Sequence, residues 1–67
     1  MYLVSLEAAR VNARLSQKEA ALAMKVNPTT LANWENGKTA ISADQFKKLC
    51  ELYEVPMDVI SLPKTIT

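Results

Sequence analysis

Histidine is absent from this 67-residue chain, and cysteine and glycine occur once each, as Cys50 and Gly37. Without histidine the commonest general base is missing, and so are the Ser–His and Cys–His nucleophile pairs. One cysteine and no histidine cannot build the usual zinc spacings, and a disulfide framework is excluded. A single glycine excludes a glycine-rich phosphate loop. A chain this short seldom encloses a substrate cleft of the usual size. No enzyme activity, metal or cofactor is therefore expected.

Long apolar runs are also missing. No segment reaches the roughly 20 residues needed to span a bilayer. The apolar start, Met1 to Leu6, lacks a preceding basic region and is broken by Glu7 and Arg10, which is not a signal-peptide pattern. The expectation is a single cytoplasmic domain over residues 1–67, with a marginal core that buries roughly 60% of the extended-chain surface. Hydrophobic residues make up 49%, charged residues 22%, and the net charge is +1. That is not the balance of a nonspecific nucleic-acid binder. The distribution is uneven, however. Residues 1–38 carry five Lys/Arg against three acids, and residues 39–67 carry three lysines against four acids. An anionic partner would sit against the N-terminal half.

What the chain does contain is a series of helix start signals. Ser16 with Glu19 and Ser42 with Gln45 both read as capping boxes. Asn27 precedes Pro28, an N-cap followed by proline at the first helical position. Ser5 is a weaker start, Pro56 opens a last short segment, and Gly37 is a natural helix stop. These signals predict five helices near 5–13, 17–24, 28–36, 43–53 and 56–61. Apolar spacing agrees: Phe46, Leu49, Cys50 and Tyr53 follow i, i+3, i+4, i+7, and Leu6, Ala9 and Ala13 share a face. Ala20, Ala21 and Met24 line the second helix, and Leu31 and Trp34 the third. The predicted fold class is a compact all-α, five-helix domain. Cys50 reads as a buried small hydrophobe, Trp34 as core, and Met24 and Met57 as gap fillers.

Two charges interrupt the apolar stripes. Arg10 lies four residues after Leu6, and Glu35 four after Leu31. A lone charge facing a core is costly, and pairing is the usual remedy. Their opposite signs predict an ion pair tying helix 1 to helix 3. The alternative is that each reaches solvent along its stem.

Helices 2 and 3, separated only by Lys25, Val26 and Asn27, match the helix-turn-helix unit, over about residues 17–36. The second helix of such a unit enters the major groove. Its outer face here is Pro28, Thr29, Ala32, Asn33 and Asn36, with no charge and no large apolar side chain. A protein groove calls for bulky anchors; a DNA groove calls for small hydrogen-bonding groups.

The stretch Ser16 to Thr39 resembles the Xre/Cro family of lambda-repressor-like DNA-binding domains. Ser16-Gln17, Glu19, Ala21, Leu31 and the Trp34-Glu35-Asn36-Gly37-Lys38 run carry the likeness. It extends over about residues 3 to 62, including the Val-Pro-x-Asp-x-Ile element at Val55–Ile60. The resemblance implies a five-helix lambda-repressor-like fold and sequence-specific DNA binding, usually as a repressor that occupies an operator. It implies base contacts by Gln17, Pro28, Thr29 and Asn33, and phosphate contacts by Ser16, Asn36, Lys38 and Thr39. It also supports the Arg10–Glu35 pair. Two positions depart from the family pattern. Lys25 stands where the turn usually has glycine, and Pro28 has no side-chain hydrogen bond to offer, although it can touch a thymine methyl.

Other readings stay open. Base contact is the favoured reading for Thr29 and Asn33 over plain solvent-facing positions, and phosphate contact for Lys38 over offsetting the helix dipole. The apolar ends, Met1 to Val4 and Ile60 to Thr67, suit an antiparallel ribbon, contact with another subunit, or frayed termini. The expected partners are a double-stranded DNA operator and a second copy of the chain, with no membrane and no small-molecule effector. The alternative is a protein-interaction module, an antitoxin or phage control factor, on the same fold.

Overall fold

The computed structural model describes residues 3–62. The chain runs β1 (Val4–Ser5), α1 (Leu6–Asn12), α2 (Gln17–Met24), α3 (Pro28–Asn36), α4 (Ala43–Tyr53), a single 3₁₀ turn (Met57–Val59) and β2 (Ile60–Ser61).

Each α-helix starts at a polar cap. Ser5 accepts from the Ala8 amide, Ser16 from Glu19, Asn27 from Thr29 and Ser42 from Gln45. Each such bond satisfies one of the four amides that a helix start leaves without a partner. Only Ser16 and Glu19 complete a full capping box. At Ser42 the reciprocal half does not form: the Gln45 side-chain oxygen accepts from the Ser42 hydroxyl at 3.3 Å.

The helix ends share one device. After α2, Lys25 sits in the left-handed region (φ 60°), and the amides of Lys25 and Val26 reach back to the carbonyls of Leu22 and Ala21. That is a Schellman closure. The same pattern follows α1 at Arg14, α3 at Gly37 and α4 at Glu54, all with positive φ. Three of the four sites lack glycine. A side chain in that conformation costs roughly 1–2 kcal/mol.

The fold departs from the five-helix expectation at its end. Residues 57–59 make one 3₁₀ turn, so four α-helices are present among the described residues. Pro56 provides no side-chain cap, and Ile60 is drawn into the core and into pairing with β1. The ribbon expected as antiparallel is parallel, with Val4 opposite Ile60 and Ser5 opposite Ser61. A parallel pair needs a long crossover, and the helices between the strands provide it. Met1, Tyr2 and residues 63–67 lie outside the described residues, and with them most of the terminal segments read as a subunit contact.

The core gathers Leu6 and Ala9 from α1, Ala20 and Ala21 from α2, Leu31 and Trp34 from α3, and Phe46, Leu49, Cys50 and Tyr53 from α4. Ile41 from the α3–α4 connection and Ile60 complete it. Met24 packs at its margin, whereas Met57 is 43% exposed and fills no gap. Burial of the Cys50 thiol raises its pKa. Alanines on the inner face of α2 let α3 pack close against it.

Candidate nucleic-acid interface

The helix-turn-helix is held in shape by one side-chain network. Arg10 Nε donates to Glu35 Oε2 at 2.8 Å. Arg10 Nη1 donates to the Leu15 carbonyl at 2.8 Å. Gln17 Nε2 donates to Glu35 Oε1 at 2.9 Å. The Arg10 and Glu35 side chains are 10% and 2% exposed. Glu35 therefore spends one oxygen on α1 and the other on the first residue of α2. Arg10 also fixes the carbonyl just before the α2 cap. The network joins α1, the start of α2 and α3 through side chains that are mostly buried.

On the outer side, the first turn of α3 carries Pro28 and Thr29, both exposed. The Thr29 amide is taken by the Asn27 side chain at 2.9 Å, so its hydroxyl and methyl are what it presents. Asn33 follows one turn later and is half-buried, and Asn36 is exposed at the last position of the helix. Beyond the left-handed Gly37, Lys38 and Thr39 are exposed. Their amides turn back to the Asn33 carbonyl at 2.9 and 3.5 Å. This closure directs the Lys38–Thr39 segment away from the α3 axis.

At the start of α2, Ser16 is exposed. Its hydroxyl oxygen accepts from the Glu19 amide and its own amide donates to Glu19 Oε1. The bonds from the Ser16 backbone and side chain hold the Glu19 carboxyl below its usual range. Gln17 differs from the other candidate DNA contacts. It is half-buried, and its side chain is already engaged with Glu35.

The structure thus places Pro28, Thr29, Asn33 and Asn36 along one helix. Lys38 and Thr39 follow its C-terminal end, and Ser16 and Gln17 stand at the N-terminus of the neighbouring helix. The exposed cations Arg14, Lys18 and Lys25 lie in the same half of the chain. Among the described residues no group of acidic or cysteine side chains is placed to hold a metal ion, and no helix is long and apolar enough to cross a membrane.

Two features escape a reading of the sequence. The Gln17–Glu35 bond joins residues in two different helices, so periodicity within a single helix gives no sign of it. Leu22 is 79% exposed on the outer side of α2, where it lines a shallow groove of about 230 Å³ with Lys18, Val26 and Pro28. An apolar residue at the edge of an otherwise polar helix face is the available signal.

A helix-turn-helix family model matches residues 6–60. No curated protein and no solved structure gives a significant match.

Proposed function

The chain belongs to the Xre/lambda-repressor-like helix-turn-helix family, and on that premise we propose that it is a sequence-specific transcriptional regulator that occupies its operator as a dimer. The observation that carries the reading is the outer face of α3: small, uncharged and hydrogen-bonding, with Ser16 at the start of α2 and Lys38 past its own end. α3 lies in the major groove, where Thr29 and Asn33 meet base edges, Pro28 meets a thymine methyl, and Gln17 adds a contact from α2. Ser16, Asn36, Lys38 and Thr39 hold the phosphates on either side and fix the register. Repression follows from occupancy, since a bound protein excludes other proteins from the same groove. No catalytic step is involved, and a cytoplasmic site of action goes with DNA as the target.

One such helix reads only a few base pairs, too few to select a site in a genome. Two-fold pairing doubles the contact and matches half-sites about 34 Å apart. The apolar terminal segments are the surface assigned to this pairing, because the α3 face must stay open. Ile60 is committed to the protomer's own core, but Leu3 is 55% exposed beside β1. Sedimentation at micromolar concentration, with and without residues 62–67, tests the dimer. A chain that stays monomeric both free and on DNA overturns it.

The second reading, a module that binds another protein, draws on the apolar groove beside Leu22. Selection from a random duplex pool separates the two. Enrichment of a two-fold symmetric site, with affinity falling steeply as salt rises, supports the regulator. A pool that stays unenriched, with no salt-dependent shift, supports the module.

A further inference from the structure

The strongest unassigned feature is the second bond of Glu35. An ion pair needs only one of its oxygens, and Arg10 takes Oε2 at 2.8 Å. Oε1 accepts from the Gln17 amide at 2.9 Å. A carboxylate can only accept hydrogen bonds, whereas a carboxamide has a donor end and an acceptor end. Glu35 therefore decides which way round the Gln17 amide stands. The NH₂ end faces inward, one N–H is consumed, and the second leads away from Glu35. Arg10 offsets the carboxylate charge, so the arrangement carries no net negative charge toward a polyanion.

We propose that Glu35 is a positioning residue for DNA binding, acting through Gln17: it orients the Gln17 amide so that its remaining N–H meets a hydrogen-bond acceptor on the duplex. This rests on the DNA-binding reading above. A backbone phosphate oxygen and a base-edge acceptor share the required chemistry. Gln17 stands at the first position of α2, the helix that crosses the DNA backbone in this motif. Fixing the amide before binding removes rotamer freedom that would otherwise be lost on binding. The Arg10–Glu35 pair is then more than a staple between α1 and α3, because its acidic member also prepares a DNA contact.

The test is a double-mutant cycle on duplex affinity with Gln17→Ala and Glu35→Gln. In Glu35→Gln the carboxamide oxygen can still accept from Arg10, but its NH₂ group confronts the Gln17 NH₂ and forces that amide to turn over. The charge change at position 35 acts in both backgrounds and cancels in the cycle. Glu35→Gln should weaken binding in the otherwise intact chain about three- to tenfold relative to its effect in the Gln17→Ala variant. Gln17→Ala should leave the salt slope unchanged, since a neutral side chain releases no counterion. Equal weakening by Gln17→Ala on selected and random duplex assigns the acceptor to the backbone; weakening confined to the selected site assigns it to a base. Equal effects of Glu35→Gln in both backgrounds overturn the positioning role and leave the DNA reading intact. If the intact chain shows no salt-dependent duplex binding at all, both fall.

Should Glu35→Gln fail to fold, NMR of the intact chain decides. The Gln17 side-chain amide proton bonded to Glu35 should exchange slowly in the free protein, and the side-chain amide signals should shift when random duplex is added. Exchange as fast as in a free glutamine, or no shift on DNA, overturns the proposal.

Discussion

α3 and α4 are neighbours in the chain and are used in opposite ways. α4 buries Phe46, Leu49, Cys50 and Tyr53, a full helical stripe, and its remaining charges face solvent. α3 buries only Leu31 and Trp34 on its inner edge and relies on Glu35 to reach both α1 and α2. Its other face makes no contribution to the core. The comparison teaches where variation is tolerated. A substitution in the buried stripe of α4 weakens the fold, whereas one at an exposed position on the outer face of α3 leaves the core untouched. The price of that freedom is a buried charge network where α4 has simple apolar packing.

The sharpest way to break this contrast is to attack the network. Arg10→Met leaves Glu35 buried without its cation and should destabilise the fold by roughly 3–5 kcal/mol. Adding Glu35→Leu should recover much of the loss, and chemical denaturation of the singles and the double checks it. A double variant as unstable as the sum of the singles would mean that the two side chains are not coupled.

A smaller effect isolates Tyr53, the α4 residue nearest in character to the network. Its hydroxyl is buried with no hydrogen-bond partner among the described residues. Burial pushes its pKa up to about 12, with Glu35 adding to the rise and Arg10 opposing it. The folded state keeps the phenol protonated where the unfolded chain ionises it. Stability should therefore fall as pH rises from about 10 to 12, at no more than about 1.4 kcal/mol per pH unit. Tyr53→Phe should remove this contribution from the alkaline limb, which thermal melts across that range would detect.

The smallest effects concern helix ends. Arg14, Lys25 and Glu54 hold the conformation that Gly37 holds without steric cost. Glycine at each should stabilise by up to about 1 kcal/mol, the steric relief being partly offset by greater freedom in the unfolded chain. Denaturation midpoints of the three single variants measure it. A loss of stability at Lys25 would show that its side chain contributes something the backbone geometry does not reveal.

Much of this architecture is readable from the residues. Ser16, Asn27 and Ser42 start α2, α3 and α4 where their cap chemistry predicts, because capping is local. The stripe of α4 is equally clear, because one period governs it. The last helix is the largest miss, beside the direction of the terminal ribbon. Pro56 looks like a start, but Ile60 is claimed by β1 and the core, and that competition depends on long-range packing. Ile41 gives no signal for a similar reason, since it lies in a connection where no period operates. At the candidate site, the composition of the α3 outer face is visible from helical spacing. The engagement of Gln17 by Glu35 is not, because it follows from how α2 and α3 cross.

The central claim is that α3 reads sequence with its outer face while Lys38 only holds the backbone. It is tested most directly by the affinities of Asn33→Ala and Lys38→Ala for selected and random duplexes over a range of salt. Asn33→Ala should lose roughly 1–3 kcal/mol on the selected site and little on random DNA, with the salt slope nearly unchanged. Lys38→Ala should weaken both duplexes alike and lower the slope by about one per subunit. If Asn33→Ala weakens both duplexes equally, α3 does not read sequence at that position. If neither variant changes binding, this face does not meet DNA.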